Sequence, residues 1–325
     1  MNSTFESFDE FLEGALRGAP LTNSVGRAPM TRSRLQSLIL QGFGQGRGDQ
    51  YIPWIRVTRG NAPRMSNHFV AVISAQPLPL HLLSGLEYGA ARVASWLGAD
   101  EIRPQFPLFP WDGHPHPAAG LDAAADSALP RTRGLLDIAR DAGIKHGCYV
   151  GAPDLPYVAT TDLLIWRHQR LHFWSVKPSE VLAKSKPESR VHQRIRLEAL
   201  YADAVGGAHA VYDGSHVSDR LLANLEWLEP PRHERTAPEE VEARRKFVDR
   251  FNARGAEERL DARIEAAACD AAMPIAEGQR HFRAAAWLGQ VDIDLTQPVL
   301  MSRPMTTGGA GTKRALQTEL LGELQ

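Results

Sequence analysis

The 325-residue chain has room for two modest domains, and its 43% hydrophobic and 23% charged content is that of an ordinary packed, soluble protein. No apolar run approaches the roughly 20 residues of a membrane span, and the acids among Met1 to Glu10 stand where a signal peptide would carry bases. The two cysteines, Cys148 and Cys269, are far apart in sequence, so neither a disulfide framework nor a cysteine-rich zinc module is expected and a reducing cytoplasm fits best.

The net charge of −1 hides local basic stretches. Lys177 to Arg196 holds six bases against two acids, and Arg27 to Arg64 holds seven arginines and one acid. Phosphate contact needs bases in the right place, not a basic average. The plainer reading of each run is a solvated face.

Residues 1–50 read as a loosely ordered, flexible arm with a short helix at Phe5 to Leu16. Gly42 to Gly48 is glycine-dense, yet no Lys-Ser/Thr pair follows it. It is therefore read as a flexible lead-in and not as a phosphate loop. A compact domain over 51–228 opens at Tyr51-Ile52-Pro53-Trp54. Ser84-Gly85-Leu86-Glu87 matches a capping box that starts a helix with Leu86, Ala90, Val93 and Leu97 on one apolar stripe. A strand follows at Ile102 to Leu108, an irregular stretch at Pro110 to Pro130, and a short helix at Arg133 to Ala142. After a central hairpin come a long helix at Glu188 to Val205, a strand at Ala208 to Tyr212, and a serine-capped helix at Ser218 to Leu228. This order predicts a mixed α/β fold with a small central sheet flanked by helices. Residues 229–237 read as a linker. The span 238–302 carries three helices (Pro238 to Asn252, Glu257 to Ala272, Ile275 to Leu288), then an alternating strand at Gln290 to Leu295, the outline of a winged helix. The tail, 303–325, reads as mobile.

The central hairpin carries the chemistry. It pairs Asp162 to Trp166 with Leu171 to Lys177. A loop centred on His168 to Leu171 would place Asp162 opposite Lys177, with Ser175 on the same sheet face. A carboxylate and an ammonium at the open end of an apolar hairpin can hold a divalent metal against a phosphate, which points to a metal-dependent DNA nuclease. The bland alternative is a strand-edge salt bridge of little consequence. The apolar neighbours Leu163, Ile165, Phe173, Trp174 and Val176 argue against it, because burying charge is costly without a purpose. Glu87 is the second candidate carboxylate, although as the capping-box glutamate it could simply bind the Ser84 N–H. His114, His116, His146 and Cys148 form no four-ligand zinc set, and lone histidines such as His146 and His172 beside apolar residues read as structural. The sequence has no GxSxG elbow, no HExxH and no deaminase pattern.

Taken together, Gly42-Phe43-Gly44-Gln45-Gly46, Tyr51-Ile52-Pro53-Trp54-Ile55, Leu86-Glu87-Tyr88, Gln105-Phe106-Pro107-Leu108, Ala142-Gly143-Ile144-Lys145-His146, Thr160-Thr161-Asp162-Leu163-Leu164, Ser175-Val176-Lys177-Pro178-Ser179 and Leu197-Glu198-Ala199-Leu200-Tyr201 stand in an order that resembles the TnsA family. These are the endonuclease subunits of heteromeric DNA transposases. The likeness runs from Gly42 to Leu228 and continues more faintly through Trp287 to Leu295. It implies a restriction-endonuclease-like core with a C-terminal winged-helix domain. The implied active site is Glu87, Asp162 and Lys177, with Glu198 in support. Where this nuclease class has Glu, Asp or Gln two residues before the lysine, the chain has Ser175, whose hydroxyl can bind a metal-bound water but brings no charge. The implied cofactor is Mg²⁺, with Mn²⁺ able to substitute, held by Glu87, Asp162 and the Val176 carbonyl. The implied activity is hydrolysis at the 5′ ends of a mobile element in the bacterial cytoplasm, at the nucleoid, while an integrase-type transposase processes the 3′ ends and an AAA+ ATPase regulates. The alternative is a catalytically inactive, nuclease-shaped scaffold bridging transposase and ATPase.

Overall fold

A computed structural model describes residues 21–22, 30–58, 68–74, 76–120 and 123–322; the expected helix at Phe5 to Leu16 lies outside them. The chain divides into two compact units. One takes Met1–Ala71, Leu78–Glu87 and Glu101–Asp213; the other takes Val72–Pro77, Tyr88–Asp100 and Gly214–Gln325. This interleaved division differs from the linear 51–228 and 238–302 partition read from composition.

The first unit is built on a four-stranded mixed sheet. Its strands are β1 (Glu101–Leu108), β2 (Ala159–Arg167), β3 (Arg170–Val176) and β4 (Ala208–Tyr212), in that spatial order. The first two pairings are antiparallel and the last is parallel. A parallel neighbour requires a crossover of a dozen residues or more, and the stretch from β3 to β4 supplies it. The sheet is mixed α/β, as a restriction-endonuclease-like core requires.

The β2–β3 turn corrects the expected register. His168 and Gln169 both adopt left-handed backbone (φ 48° and 61°) and form a two-residue turn between Arg167 and Arg170. Leu163 therefore pairs with Trp174, and one further step along the ladder puts Asp162 beside Ser175, not Lys177. The turn is shorter than the assumed four residues. Because the offset is two residues, every side chain keeps its face, and Asp162, Ser175 and Lys177 still share one.

The longer helices that the described residues of this unit form or begin are α1 (Arg32–Leu40), α2 (Gly85–Trp96), α3 (Leu135–Asp141) and α4 (Arg190–Ala204). The α1 helix is a correction to the flexible arm. Thr31 caps it by accepting from the Arg34 N–H at 3.2 Å, and Leu35 packs with Trp54, Phe109 and Trp111. The glycine-dense lead-in is also held: Arg47 pairs with Glu101 at 2.8 Å and the Gly48 N–H donates to the same carboxylate at 2.7 Å. Gly44 (φ 72°) sits where a Cβ would come within 2.1 Å of Pro107, so the sequence needs glycine there. The α4 helix lays Leu197 and Tyr201 on the sheet against Phe106, Leu164 and Phe173. Burial of each such side chain contributes roughly 1.5–3 kcal/mol. Only the first turn of α2, through Glu87, belongs to this unit.

The second unit holds the rest of α2 together with α5 (Asp219–Leu228), α6 (Pro238–Asn252), α7 (Leu260–Asp270), α8 (Ile275–Leu288) and α9 (Gly309–Leu321). Helices α6, α7 and α8 pack on one another through Phe247, Phe251, Ile264 and Phe282, all buried. The expected linker is instead tied down: Glu229 accepts from the Ser74 N–H at 2.7 Å and from Arg92 at 3.1 Å, and Arg232–Thr236 is helical. The expected strand at Gln290 to Leu295 is not formed among the described residues. Val291, Ile293 and Leu295 are buried in alternation, but their segment bonds outside any ladder, the Asp294 N–H to the Thr306 carbonyl and the Leu295 carbonyl to the Asn224 side chain. The three expected helices are thus present, and the strand expected after them is not. Nor is the tail loose, since α9 buries Leu316 and Leu320. Among the described residues no helix is long and apolar enough to cross a membrane.

Candidate active site

Strand alternation and register bring Asp162 and Lys177 together. The Asp162 Oδ2 accepts from the Val176 N–H at 2.7 Å and from the Lys177 ammonium, which also donates to the Val176 carbonyl at 3.0 Å. Lys177 lies one residue past β3, and its N–H donates to the Tyr212 carbonyl at 3.0 Å, so the parallel pairing with β4 fixes its backbone. The salt bridge expected on plain grounds exists. It is mostly buried at the end of an apolar sheet, where a charge pair gains less than its desolvation costs unless further bonds support it.

Glu87 reaches the same place from the first turn of α2. Its N–H donates to Ser84 Oγ at 3.1 Å, as a capping box requires. Its carboxylate accepts from the Ser84 hydroxyl at 3.4 Å and from the Leu83 N–H, not the Ser84 N–H, at 2.9 Å. The same Oε2 accepts from Gln105 Nε2 at 3.1 Å. Burial, and then the negative charge of Asp162, raise the Glu87 carboxyl to about 7; the Leu83 bond, Lys177 and Gln105 pull the other way. Capping and site membership are therefore both true of this residue.

Gln105 is the residue that sequence reasoning missed as a site member. It is buried in the middle of β1, yet its backbone is left-handed (φ 51°), a conformation that costs a non-glycine residue about 1–3 kcal/mol. The β1–β2 ladder runs from Pro104–Leu163 to Phe106–Thr161 and skips the step at Gln105, which would fall beside Asp162. Its carbonyl instead accepts from the Trp54 N–H at 3.2 Å, and its side-chain Oε1 accepts from Thr160 Oγ1 at 3.1 Å. The only signal in the sequence is a polar residue between Pro104 and Phe106 in a buried strand.

Ser175 lies on the face of Asp162 and Lys177 but is closed off from solvent. It is fully buried, its hydroxyl donates to Glu198 Oε2 at 2.5 Å, and His209 Nε2 lies 2.9 Å from the Ser175 Oγ. The hydroxyl expected to meet a metal-bound water is thus engaged by two side chains of the chain itself. Glu198 also pairs with Arg194 at 3.3 Å; burial raises its carboxyl, and Arg194 works against that rise. Burial and the Lys177 charge lower His209 to about 4, so it is neutral near pH 7. His209 was also missed, since only the parallel β3–β4 pairing brings it to Ser175.

The other candidate ligands stay in the core. Burial lowers His114, His146 and His172 to about 4, and His146 bonds the Tyr157 carbonyl at 2.7 Å. Among the described residues no group of three or more His, Cys, Asp or Glu side chains is placed to hold a metal. The oxygen set of Glu87, Asp162 and the Val176 carbonyl has a different character, with two carboxylates and one carbonyl of the kind that Mg²⁺ accepts. Two of these groups already hold a cation: the Lys177 ammonium bridges Asp162 Oδ2 and the Val176 carbonyl.

No protein-family model matches the chain. A curated relative, the transposon Tn7 transposition protein TnsA of Escherichia coli, is 28% identical over 198 residues, which cover 58% of this chain and 60% of that protein. The resemblance to the TnsA family thus stands, and the matched region spans about 60% of that relative's length.

Proposed function

We propose that the chain is a metal-dependent DNA endonuclease subunit of a cut-and-paste transposition machine. The observation that carries this reading is the convergence of Glu87, Asp162 and Lys177 from three separated segments around one pair of cation-binding oxygens. Glu87, Asp162 and the Val176 carbonyl would hold Mg²⁺, or Mn²⁺ in its place. When bound there, the ion supplies Lewis acidity toward the scissile phosphate.

The chain's own groups do the rest. Lys177 offsets negative charge that gathers on the phosphoryl oxygens. Glu87 holds a proton up to about pH 7, so its cation-binding form is gained as pH rises through that value. Glu198 and His209 bond the Ser175 hydroxyl and so anchor β3 two residues before Lys177. Hydrolysis adds water across the P–O bond and leaves a 5′-phosphate and a 3′-hydroxyl. By the TnsA resemblance, the bonds cut are at the 5′ ends of the element, an integrase-type transposase processes the 3′ ends, and an AAA+ ATPase regulates both.

The test is a reconstituted excision assay that scores each strand separately. Lys177→Ala should abolish 5′-strand cleavage and leave 3′-end processing intact; normal 5′ cutting by that variant would overturn the reading. The buried, uncharged Ser175 favours a second reading, an inactive scaffold between transposase and ATPase. A wild-type chain that binds both partners and never cuts would establish it.

A further inference from the structure

We propose that Gln105 is a positioning residue whose side-chain amide sets the orientation of the Glu87 carboxylate. The inference rests on the nuclease reading of the site. Three features of one residue point the same way. A buried glutamine holds left-handed backbone in the middle of a strand, where only glycine, or at less cost asparagine, is at ease. The ladder gives up its pairing at this one step, the step beside Asp162, and the Gln105 carbonyl goes to Trp54 instead. The amide is used at both ends: Thr160 Oγ1 donates to Oε1 at 3.1 Å, and Nε2 donates to Glu87 Oε2 at 3.1 Å. The Glu87 carboxylate fixes which end is which, because an amide turned over would aim its oxygen at a carboxylate oxygen, and the Thr160 bond then holds the amide oxygen in place. A backbone role alone would be served as well by asparagine. Only the longer glutamine spans from Thr160 to Glu87.

Gln105→Asn separates the two roles, since it keeps an amide and tolerates the backbone but is one methylene too short. Crystal structures of the full chain and of this variant, with calorimetric titration of Mn²⁺ into each, form the test. The expected results are an unchanged or higher melting temperature, a Glu87 carboxylate turned away from its wild-type orientation, and Mn²⁺ binding weaker by about 10-fold or more. Thr160→Val, which removes the anchor on the amide oxygen, should weaken binding in the same direction by less. A Glu87 carboxylate that stays in place in Gln105→Asn overturns the proposal, as does Mn²⁺ affinity equal to wild type. If the wild-type chain takes up no Mn²⁺, the metal reading falls separately, and the Glu87 orientation alone decides the role of Gln105.

Discussion

Replacing Glu87 by glutamine should make the chain's stability less dependent on pH, by an amount that follows from the site. The wild-type carboxyl is raised from an ordinary 4.5 to about 7, chiefly by burial. Between those two values the unfolded chain has released this proton and the folded chain keeps it. Folding stability therefore falls as pH rises from 4.5 to about 7 and is level above that. At about 1.4 kcal/mol for each pH unit, the carboxyl ties about 3 kcal/mol of folding free energy to pH. Glu87→Gln mimics the protonated form at every pH and removes this dependence. Hydrogen bonds that glutamine makes differently at Leu83 or Gln105 shift the variant by a constant. Other titrating groups cancel in the comparison. Urea unfolding followed through tryptophan fluorescence, at intervals from pH 4.5 to 8, measures the difference. The variant should gain about 3 kcal/mol relative to wild type across that range. A difference that stays flat would show that Glu87 is not buried beside Asp162, and the site as described would be wrong.

Two further changes test the parts around the site. Ser175→Ala takes a donor from the buried Glu198 carboxylate and a partner from His209, and should cost about 1–3 kcal/mol in urea unfolding; a variant as stable as wild type would show that this network holds nothing. Gly309→Ala would put a Cβ 1.8 Å from the Ile293 carbonyl oxygen, and should destabilise the second unit by about 1–3 kcal/mol in thermal denaturation. An unchanged transition would mean that α9 is not packed there.

Much of the first unit was legible because its elements announce themselves in composition and period. The apolar runs of β2 and β3, the capping box at Ser84 and the strand at Ala208 to Tyr212 all lie where their patterns place them. The hairpin register was not legible, because both turn residues are non-glycine in left-handed backbone, and nothing in His168-Gln169 signals a two-residue turn. Helix α1 and the glycine-dense loop after it were hidden by arginine, serine and glycine content that resembles an unstructured arm, although Leu35 and Gly44 are fixed by tertiary contacts. The alternation at Gln290 to Leu295 is real as burial and misleading as pairing. Within the site, Asp162 and Lys177 could be found from one hairpin, whereas the contacts of Gln105 and His209 arise from pairings between distant strands that local sequence does not encode.

The central claim is that two carboxylates and a backbone carbonyl form a cation site. Anomalous diffraction from crystals soaked in Mn²⁺ tests it most directly. The account predicts a peak within about 2.0–2.4 Å of oxygens from Glu87, Asp162 and Val176, with the Lys177 ammonium moved off Asp162. Density showing Lys177 still bridging Asp162 and the Val176 carbonyl, with no peak beside Glu87 at saturating Mn²⁺, would contradict it.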